Sequence, residues 1–141
     1  MRTPLLADVV VADYSALVVE HFNQPRNVGR LQPASDVLQA SAGRRADGVQ
    51  FDFTVRIAGN VIDTVRVQTF GCPHSIAAAS WLSERMIGMT RDALTQWRWQ
   101  EAAAALDVPT EKRGRLLVLE DAVRGLARKW LPAETFVAAK R

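Results

Sequence analysis

The chain has 141 residues, of which 48% are hydrophobic, and its 18 basic and 15 acidic side chains leave a net charge of +3. This size is typical of one domain with one core. No apolar run reaches the roughly 18 residues of a membrane span, no secretory signal pattern is present, and a single cysteine excludes an internal disulfide. The scattered basic groups lack interleaved aromatic residues, so we expect a cytoplasmic protein that binds neither nucleic acid nor a membrane.

We expect a flexible leader over residues 1–11, one domain over residues 12–132 and a tail over residues 133–141. The first predicted element of the domain is a helix with Asp13 as its N-cap, which ends before Pro25. Its apolar face is formed by Tyr14, Leu17, Val18, His21 and Phe22.

Strand patterns follow this helix. Residues 37–42 are a weak strand candidate, and residues 43–48 read as a polar loop. Residues 51–57 then alternate between apolar and polar side chains, the period of a strand with one buried face. Because Gly59-Asn60 tolerates positive φ in a tight turn, the sequence predicts a hairpin with a second strand over Val61–Phe70.

After the hairpin the pattern becomes helical. A helix is expected from near Pro73 to Met86 or Ile87, and another after Thr90 that carries Leu94, Trp97, Ala104 and Ala105. Beyond Pro109, an amphipathic stripe is formed by Leu116, Leu119, Val123, Leu126 and Trp130. Strands followed by helices predict an α+β fold, a three-stranded antiparallel sheet covered on one face by helices.

The only cysteine, Cys72, lies where the hairpin gives way to a helix. A helix N-terminus favours thiolate over thiol, so Cys72 could be a nucleophile, a sulfur acceptor or a metal ligand. The alternative is a small, inert, buried residue, since free cysteine is often buried.

Other titratable residues offer weaker signals. His74 could act as a base or a second ligand, or could point to solvent from the first helical turn. His21 is better explained as a hydrogen-bonded histidine than as a ligand. Asp47 could reach a metal ion, whereas Asp52 falls on the outward face of its strand and should be solvated.

Several segments resemble the IscU/NifU N-terminal family of iron–sulfur cluster scaffolds. The family's opening is matched by Tyr14, Val18-Val19-Glu20-His21-Phe22 and Gln24-Pro25-Arg26-Asn27-Val28-Gly29. Its later segments are matched by Ile62-Asp63-Thr64-Val65, Thr69-Phe70-Gly71-Cys72, Ser75-Ile76-Ala77-Ala78-Ala79-Ser80 and Leu119-Glu120-Asp121-Ala122-Val123. The resemblance covers residues 14–130 and implies the IscU/NifU-N-like fold of the SufE/NifU superfamily.

The resemblance implies three cluster cysteines, of which this chain keeps only Cys72. At the first cysteine position the sequence has Ala46, and Gly48 stands for the neighbouring aspartate, with Asp47 one place away. At the third cysteine position it has Arg115, preceded by Gly114 in place of a histidine. Because a cluster or a structural zinc ion normally takes four donors, we expect no stably bound cofactor, only transient iron, zinc or iron–sulfur cluster contact through Cys72.

The family also presents a Leu-Pro-Pro-Val-Lys segment to a dedicated Hsp70-type chaperone. This chain keeps part of it as Val108-Pro109-Thr110-Glu111-Lys112, which is also a plain interhelical loop. The resemblance therefore implies partner contacts at Val108, Pro109, Lys112 and Arg115, with a cysteine desulfurase, another scaffold subunit or the chaperone as the partner.

These observations predict a scaffold-like protein of iron–sulfur assembly with a degenerate cluster site, a binding protein rather than an enzyme. Two other functions stay open. One is a thiol-dependent enzyme in which Cys72 attacks and His74 assists. The other is a mononuclear metal site built from Asp47, Cys72 and His74, with ligands shared across a dimer.

Overall fold

The computed structural model describes residues 14–131, so the predicted leader, the predicted tail and Asp13 lie outside the described residues. Two short 3-10 turns occur at Arg45–Asp47 and Thr110–Lys112. The regular elements in chain order are α1 (Ala16–Asn23), β1 (Val37–Arg44), β2 (Val49–Ala58), β3 (Val61–Phe70), α2 (Pro73–Met86), α3 (Arg91–Gln96), α4 (Trp99–Leu106) and α5 (Gly114–Lys129).

The three strands form one antiparallel sheet in the order β1-β2-β3. The predicted hairpin is confirmed: Gly59 and Asn60 have φ of 61° and 66°, the conformation that a two-residue hairpin turn requires. The predicted polar loop after β1 is shorter than expected. Pairing continues to Gly43↔Gln50 and Arg44↔Val49, and only the 3-10 turn Arg45–Asp47 and Gly48 separate the two strands.

The inner face of the sheet is covered by α2 and α5, which confirms the α+β prediction. Alternation along β2 buries Phe51, Phe53 and Val55 completely. All five positions of the predicted stripe on the last helix are buried as well, namely Leu116, Leu119, Val123, Leu126 and Trp130. The apolar faces of the strands and helices thus pack together in a single core.

The helix predicted after Thr90 is in fact two helices. Thr90 caps the first, as expected, but Trp97 and Arg98 are extended and divide α3 from α4. A new helix begins after this break, where the Glu101 carboxylate accepts from the Arg98 N–H at 3.4 Å. Trp97 therefore lies outside both helices, contrary to prediction. The buried positions of α4 are Ala102, Ala103 and Leu106, whereas Ala104 and Ala105 are exposed.

Helix α1 begins and ends at clear signals. Its N-cap is Ser15, whose Oγ accepts from the Val18 N–H at 3.3 Å and donates to the Leu106 carbonyl at 2.7 Å. The cap is therefore Ser15 and not the predicted Asp13. The helix ends at Asn23, before Pro25, as predicted.

The segment between α1 and β1 crosses the outer face of the sheet. Val28 forms a parallel bridge to Val67 on β3, and the Leu31 N–H donates to Thr54 Oγ1 at 2.9 Å. This crossing corrects the expectation of a solvated Asp52. That side chain is 19% exposed and pairs with Arg30 at 2.6 Å because the crossing segment covers it. None of the helices within residues 14–131 is long and apolar enough to span a membrane.

Gly43 controls how closely α5 approaches the sheet. Its φ is +85°, and a Cβ atom there would lie 2.3 Å from the Val49 carbonyl oxygen and 2.9 Å from Val118 Cγ1 on α5. The backbone oxygen cannot move without breaking the β1–β2 ladder. A side chain at this position would therefore disrupt the β1–β2 ladder and would also force Val118 of α5 to move.

We predict that Gly43→Ala lowers the free energy of unfolding by about 3 kcal/mol or more, because it combines a left-handed backbone with a steric clash. Gly48→Ala is the matched control: its φ is +88°, but no atom lies within 4 Å of the added carbon. This control should lose only about 1 kcal/mol. Urea denaturation measures both, and equal losses would contradict the steric explanation.

Candidate functional site

Cys72 is the N-cap residue of α2. Its backbone is extended, with φ −77° and ψ 172°, Pro73 occupies the first turn, and the Cys72 carbonyl accepts from the Ile76 N–H at 3.1 Å. Proline suits this position because its missing N–H would have no partner in the first turn. Cys72 is half-buried at this position, at the N-terminus of α2.

Two neighbouring side chains act on the sulfur. Ser75 is completely buried, and its Oγ lies 3.6 Å from Cys72 Sγ. The side chain of His74 also lowers the pKa of the thiol. Its imidazole is only 4% exposed and packs against the Tyr14 ring at a centroid distance of 4.9 Å, so the alternative of a solvent-directed His74 was wrong.

The surroundings of Cys72 stabilise the thiolate. Burial alone would raise the pKa of Cys72, but the side chains of His74 and Ser75, the Ser75 N–H and the Arg115 cation outweigh it and lower the pKa to about 6. Most of the sulfur is therefore deprotonated at neutral pH, which is the nucleophilic form. A half-buried thiolate differs from the inert, buried cysteine considered from the sequence.

Gly71 allows this arrangement. A Cβ atom on Gly71 would lie 2.8 Å from Ser75 Cβ and 2.9 Å from Ser75 Oγ, so only glycine lets the serine pack beneath the turn. The same atom would lie 3.6 Å from the Gly48 carbonyl oxygen, which places the loop after β1 directly beside the Cys72 turn.

The three positions expected from the resemblance are thus brought to one end of the molecule. The loop that contains Ala46 borders the Cys72 turn through Gly48, and Arg115 in the first turn of α5 acts electrostatically on the Cys72 sulfur. At this end Arg45 also places its guanidinium 5.0 Å above the ring of Phe70. Of these two arginines, Arg115 is the one that acts on the Cys72 sulfur.

Asp47 is not part of this cluster. Its carboxylate accepts from Arg44 Nε at 3.0 Å, and its side chain is 59% exposed. Within residues 14–131 no group of three or more His, Cys, Asp and Glu side chains lies close enough to hold a metal ion. The mononuclear site of Asp47, Cys72 and His74 is therefore not formed within this part of the chain, because the i,i+3 pairing with Arg44 draws the aspartate away.

The donors present do not fit a resident cluster or zinc ion. Either would take about four donors, mostly thiolates for a cluster. The described residues place one thiolate and one imidazole together, and Arg115 adds a positive charge that repels a cation. No mechanism through a bound metal follows from this geometry.

His21 has a structural role, as its position on the apolar face suggested. Its Nδ1 lies 2.7 Å from Ser80 Oγ, which also accepts from the Arg26 N–H at 2.9 Å. Burial, and then the Arg26 cation, lower the pKa of His21 against the opposite effect of Glu84 and Glu20. A neutral His21 thus fixes the chain after α1 to α2.

The segment proposed to contact a chaperone is only partly available. Val108 is 1% exposed, so it belongs to the core and cannot be a surface contact, contrary to expectation. Its carbonyl accepts from Arg113 Nε at 3.2 Å. Pro109 and Lys112 are half-buried at the 3-10 turn, and contacts through them and Arg115 stay a prediction.

Sequence reasoning missed three members of this site. Ser75 was recognised only as part of a family segment, although the third residue of a helix is a usual contact for the N-cap side chain. Arg45 and Phe70 lie 25 positions apart, and their contact depends on the β2–β3 register. No local pattern in the sequence indicates it.

Comparison with known proteins identifies relatives over nearly the whole described region. The family model of the NifU-like N-terminal domain matches residues 13–131. The iron–sulfur cluster assembly protein IscU of Plasmodium falciparum (isolate 3D7) is 32% identical over 116 residues, 82% of this chain and 72% of that protein. Iron–sulfur cluster assembly protein 2 of Arabidopsis thaliana is 33% identical over 120 residues, 83% of this chain and 73% of that protein.

The fold agrees with a solved structure at low sequence identity. The crystal structure of SufU from Fervidobacterium islandicum AW-1 superposes with a TM-score of 0.65 at 17% identity, covering 81% of this chain and 96% of that chain. The superposition shows that the sheet and its covering helices are shared. The chain therefore belongs to the NifU-like N-terminal domain family, which includes the IscU proteins.

Proposed function

We propose that this protein is a scaffold-like component of iron–sulfur cluster assembly whose own cluster site is incomplete, and that it acts through partner proteins. The proposal is carried by one observation. A thiolate is retained at the N-terminus of α2, while the two positions that would complete a cluster site are Ala46 and Arg115.

The partner expected first is a cysteine desulfurase that supplies sulfur as a persulfide. The Cys72 thiolate would attack the terminal sulfur of the donor's persulfide, forming a new S–S bond while the donor's own sulfur leaves as a thiolate. This sulfur transfer needs no further oxidant, because one S–S bond is broken as the other forms. His74 and Ser75 favour this step because they keep Cys72 in its thiolate form.

Cluster or metal handling would need a second source of ligands. Another scaffold subunit with its full set of cysteines could supply them, with Cys72 as this chain's contact to transient iron, zinc or cluster. An Hsp70-type chaperone at Pro109 and Lys112, and a cytoplasmic location, are kept as further proposals.

A thiol-dependent enzyme is the second candidate, favoured by the effect of His74 on the Cys72 thiol. The two functions differ in stoichiometry. An enzyme would turn over a substrate many times, whereas a scaffold component would be modified once per chain.

We predict that the protein accepts one sulfur atom on Cys72 when it is incubated with a cysteine desulfurase and L-cysteine. Intact mass spectrometry would show a mass gain of one sulfur, and a Cys72→Ser variant would show none. Failure of the folded protein to gain sulfur from desulfurases of several assembly systems would contradict the proposed function.

We predict that anaerobic reconstitution with iron and sulfide leaves no stable cluster on the wild-type protein, because one thiolate cannot hold it. The variant Ala46→Cys/Arg115→Cys/Gly114→His restores the expected ligand positions and should retain iron and sulfide through gel filtration. Iron and sulfide counting with visible absorption measures both. A stoichiometric cluster on the wild type would refute the incomplete-site explanation.

We predict that the rate of Cys72 alkylation by iodoacetamide rises with pH with a midpoint near 6, because the thiolate is the reacting form. Ser75→Ala and His74→Gln each remove a side chain that lowers the pKa, so both should move the midpoint upward. Ser35→Ala, in an exposed loop, is the control and should not shift it. A wild-type midpoint near 8.5, the usual cysteine value, would contradict the geometry.

A further inference from the structure

A small cavity lies beside the Cys72 turn, on the outer face of the sheet. It encloses about 140 Å³ and is lined by Arg45, Gln50, Asp52, Gln68, Thr69 and Phe70. Phe70 ends β3 two residues before Cys72, so one wall of the cavity is continuous with the turn that holds the sulfur. Protein cavities of about 150 Å³ accept a molecule the size of benzene, so a group of a few non-hydrogen atoms fits here.

The cavity has a net positive character. Arg45 lies over the Phe70 ring and takes part in none of the ion pairs found within residues 14–131. The one acid in the lining, Asp52, is already paired with Arg30 at 2.6 Å. A guanidinium held over an aromatic ring is positioned to bind a carboxylate.

Two buried nitrogen atoms near the sulfur lack partners. Nε2 of His74 and Nε of Arg115 are both buried without a hydrogen bond from any described residue. His74 is itself 4% exposed and lies in the first turn of α2, two residues after Cys72. Buried polar groups are almost always hydrogen-bonded, so unsatisfied groups beside a reactive sulfur indicate that a polar ligand completes the site.

We propose that Cys72 is a site of reversible S-thiolation by low-mass disulfides that carry carboxylates, with the carboxylate bound by Arg45 over Phe70 and the approach favoured by Arg115. The inference rests on the proposed function only in that Cys72 is the reacting thiol of both. It adds a class of reagent that needs no partner protein.

The exchange is balanced by the disulfide itself. The Cys72 thiolate attacks one sulfur of the reagent, a new S–S bond to Cys72 forms, and the reagent's other half leaves as a thiolate that takes a proton from water. The reagent is the oxidant in this step. A low-mass thiol reverses it by the same route, so the modified protein would be blocked towards sulfur delivery until it is reduced.

Charge selectivity tests the proposal with three disulfides of similar size. 3,3′-Dithiodipropionate has two carboxylates, 2-hydroxyethyl disulfide is neutral, and cystamine has two ammonium groups. Each rate with the protein is measured by intact mass spectrometry and divided by the rate with a small thiol without a charged side group, which removes differences in intrinsic reactivity. Because the chain has one cysteine, every adduct is assigned to Cys72.

At low ionic strength, we expect the normalised rate of the dicarboxylate to exceed that of cystamine by about tenfold or more, with the neutral reagent between them. In high salt, the three normalised rates should converge. Arg45→Gln and Arg115→Gln should each lower the dicarboxylate rate with a smaller effect on the neutral reagent. Arg128→Gln, an exposed charge about 20 Å further along α5, is the control and should leave the ratio unchanged.

Glutathione disulfide is a biological member of this class of reagent. Its normalised rate should change in the same direction as that of the dicarboxylate in every variant. Normalised rates that agree within about twofold among the three reagents, or an effect of Arg45→Gln no larger than that of Arg128→Gln, would overturn the proposal. The desulfurase assay on the same samples separates the two claims: sulfur transfer without charge selectivity would reject this inference and leave the proposed function intact.

Discussion

The packing of α5 on the inner face of the sheet is the interaction on which the rest of the structure depends. Fully buried side chains of β2, such as Phe51 and Phe53, share one core with Leu116 and Leu119 of the helix, and each contributes about 1.5–3 kcal/mol by leaving water. Gly43 sets the closeness of this contact on the sheet side. The first turn of α5 is thereby fixed, and with it the position of Arg115 beside Cys72.

The same core can support either of two kinds of site, one made of several thiolates or one made of a thiolate and an arginine. In a scaffold with three cysteines, the geometry would bring thiolates together. In this chain it brings a thiolate to an arginine, because the helix is held by residues that do not contact the site. Arg115 adds a positive charge beside this sulfur, which repels metal cations and favours anions, while the buried residues hold the fold without contributing to the site. Membership of the family is therefore compatible with an arginine beside the thiolate.

Much of the fold was predictable because its signals are local or periodic. The Gly59-Asn60 turn, the alternation of β2 and the stripe of α5 each follow from the spacing of nearby residues. The break at Trp97 was not predictable, since a tryptophan is a normal helix residue and only its burial in the core favours the extended backbone. Asp52 was misjudged for a similar reason: strand alternation gives the face of a side chain but not what later covers that face.

The candidate site was predictable in position more than in chemistry. Cys72 could be placed at a strand-to-helix turn, but its acidity depends on Ser75, His74 and Arg115, and the arginine is distant in sequence. Asp47 looked like a ligand from its proximity along the chain, yet Arg44 pairs with it. Contacts decided by tertiary structure were the ones that sequence reasoning could not supply.

Gly71 has a consequence beyond the shape of its turn. Ser75 can pack under the turn only when residue 71 lacks a side chain. The hydrogen bond between Ser75 Oγ and Cys72 Sγ therefore depends on glycine at position 71. The reactivity of the sulfur is thus governed by a position with no functional group. A survey of this family that compares only nucleophiles, acids and bases would overlook the residue that adjusts the thiol.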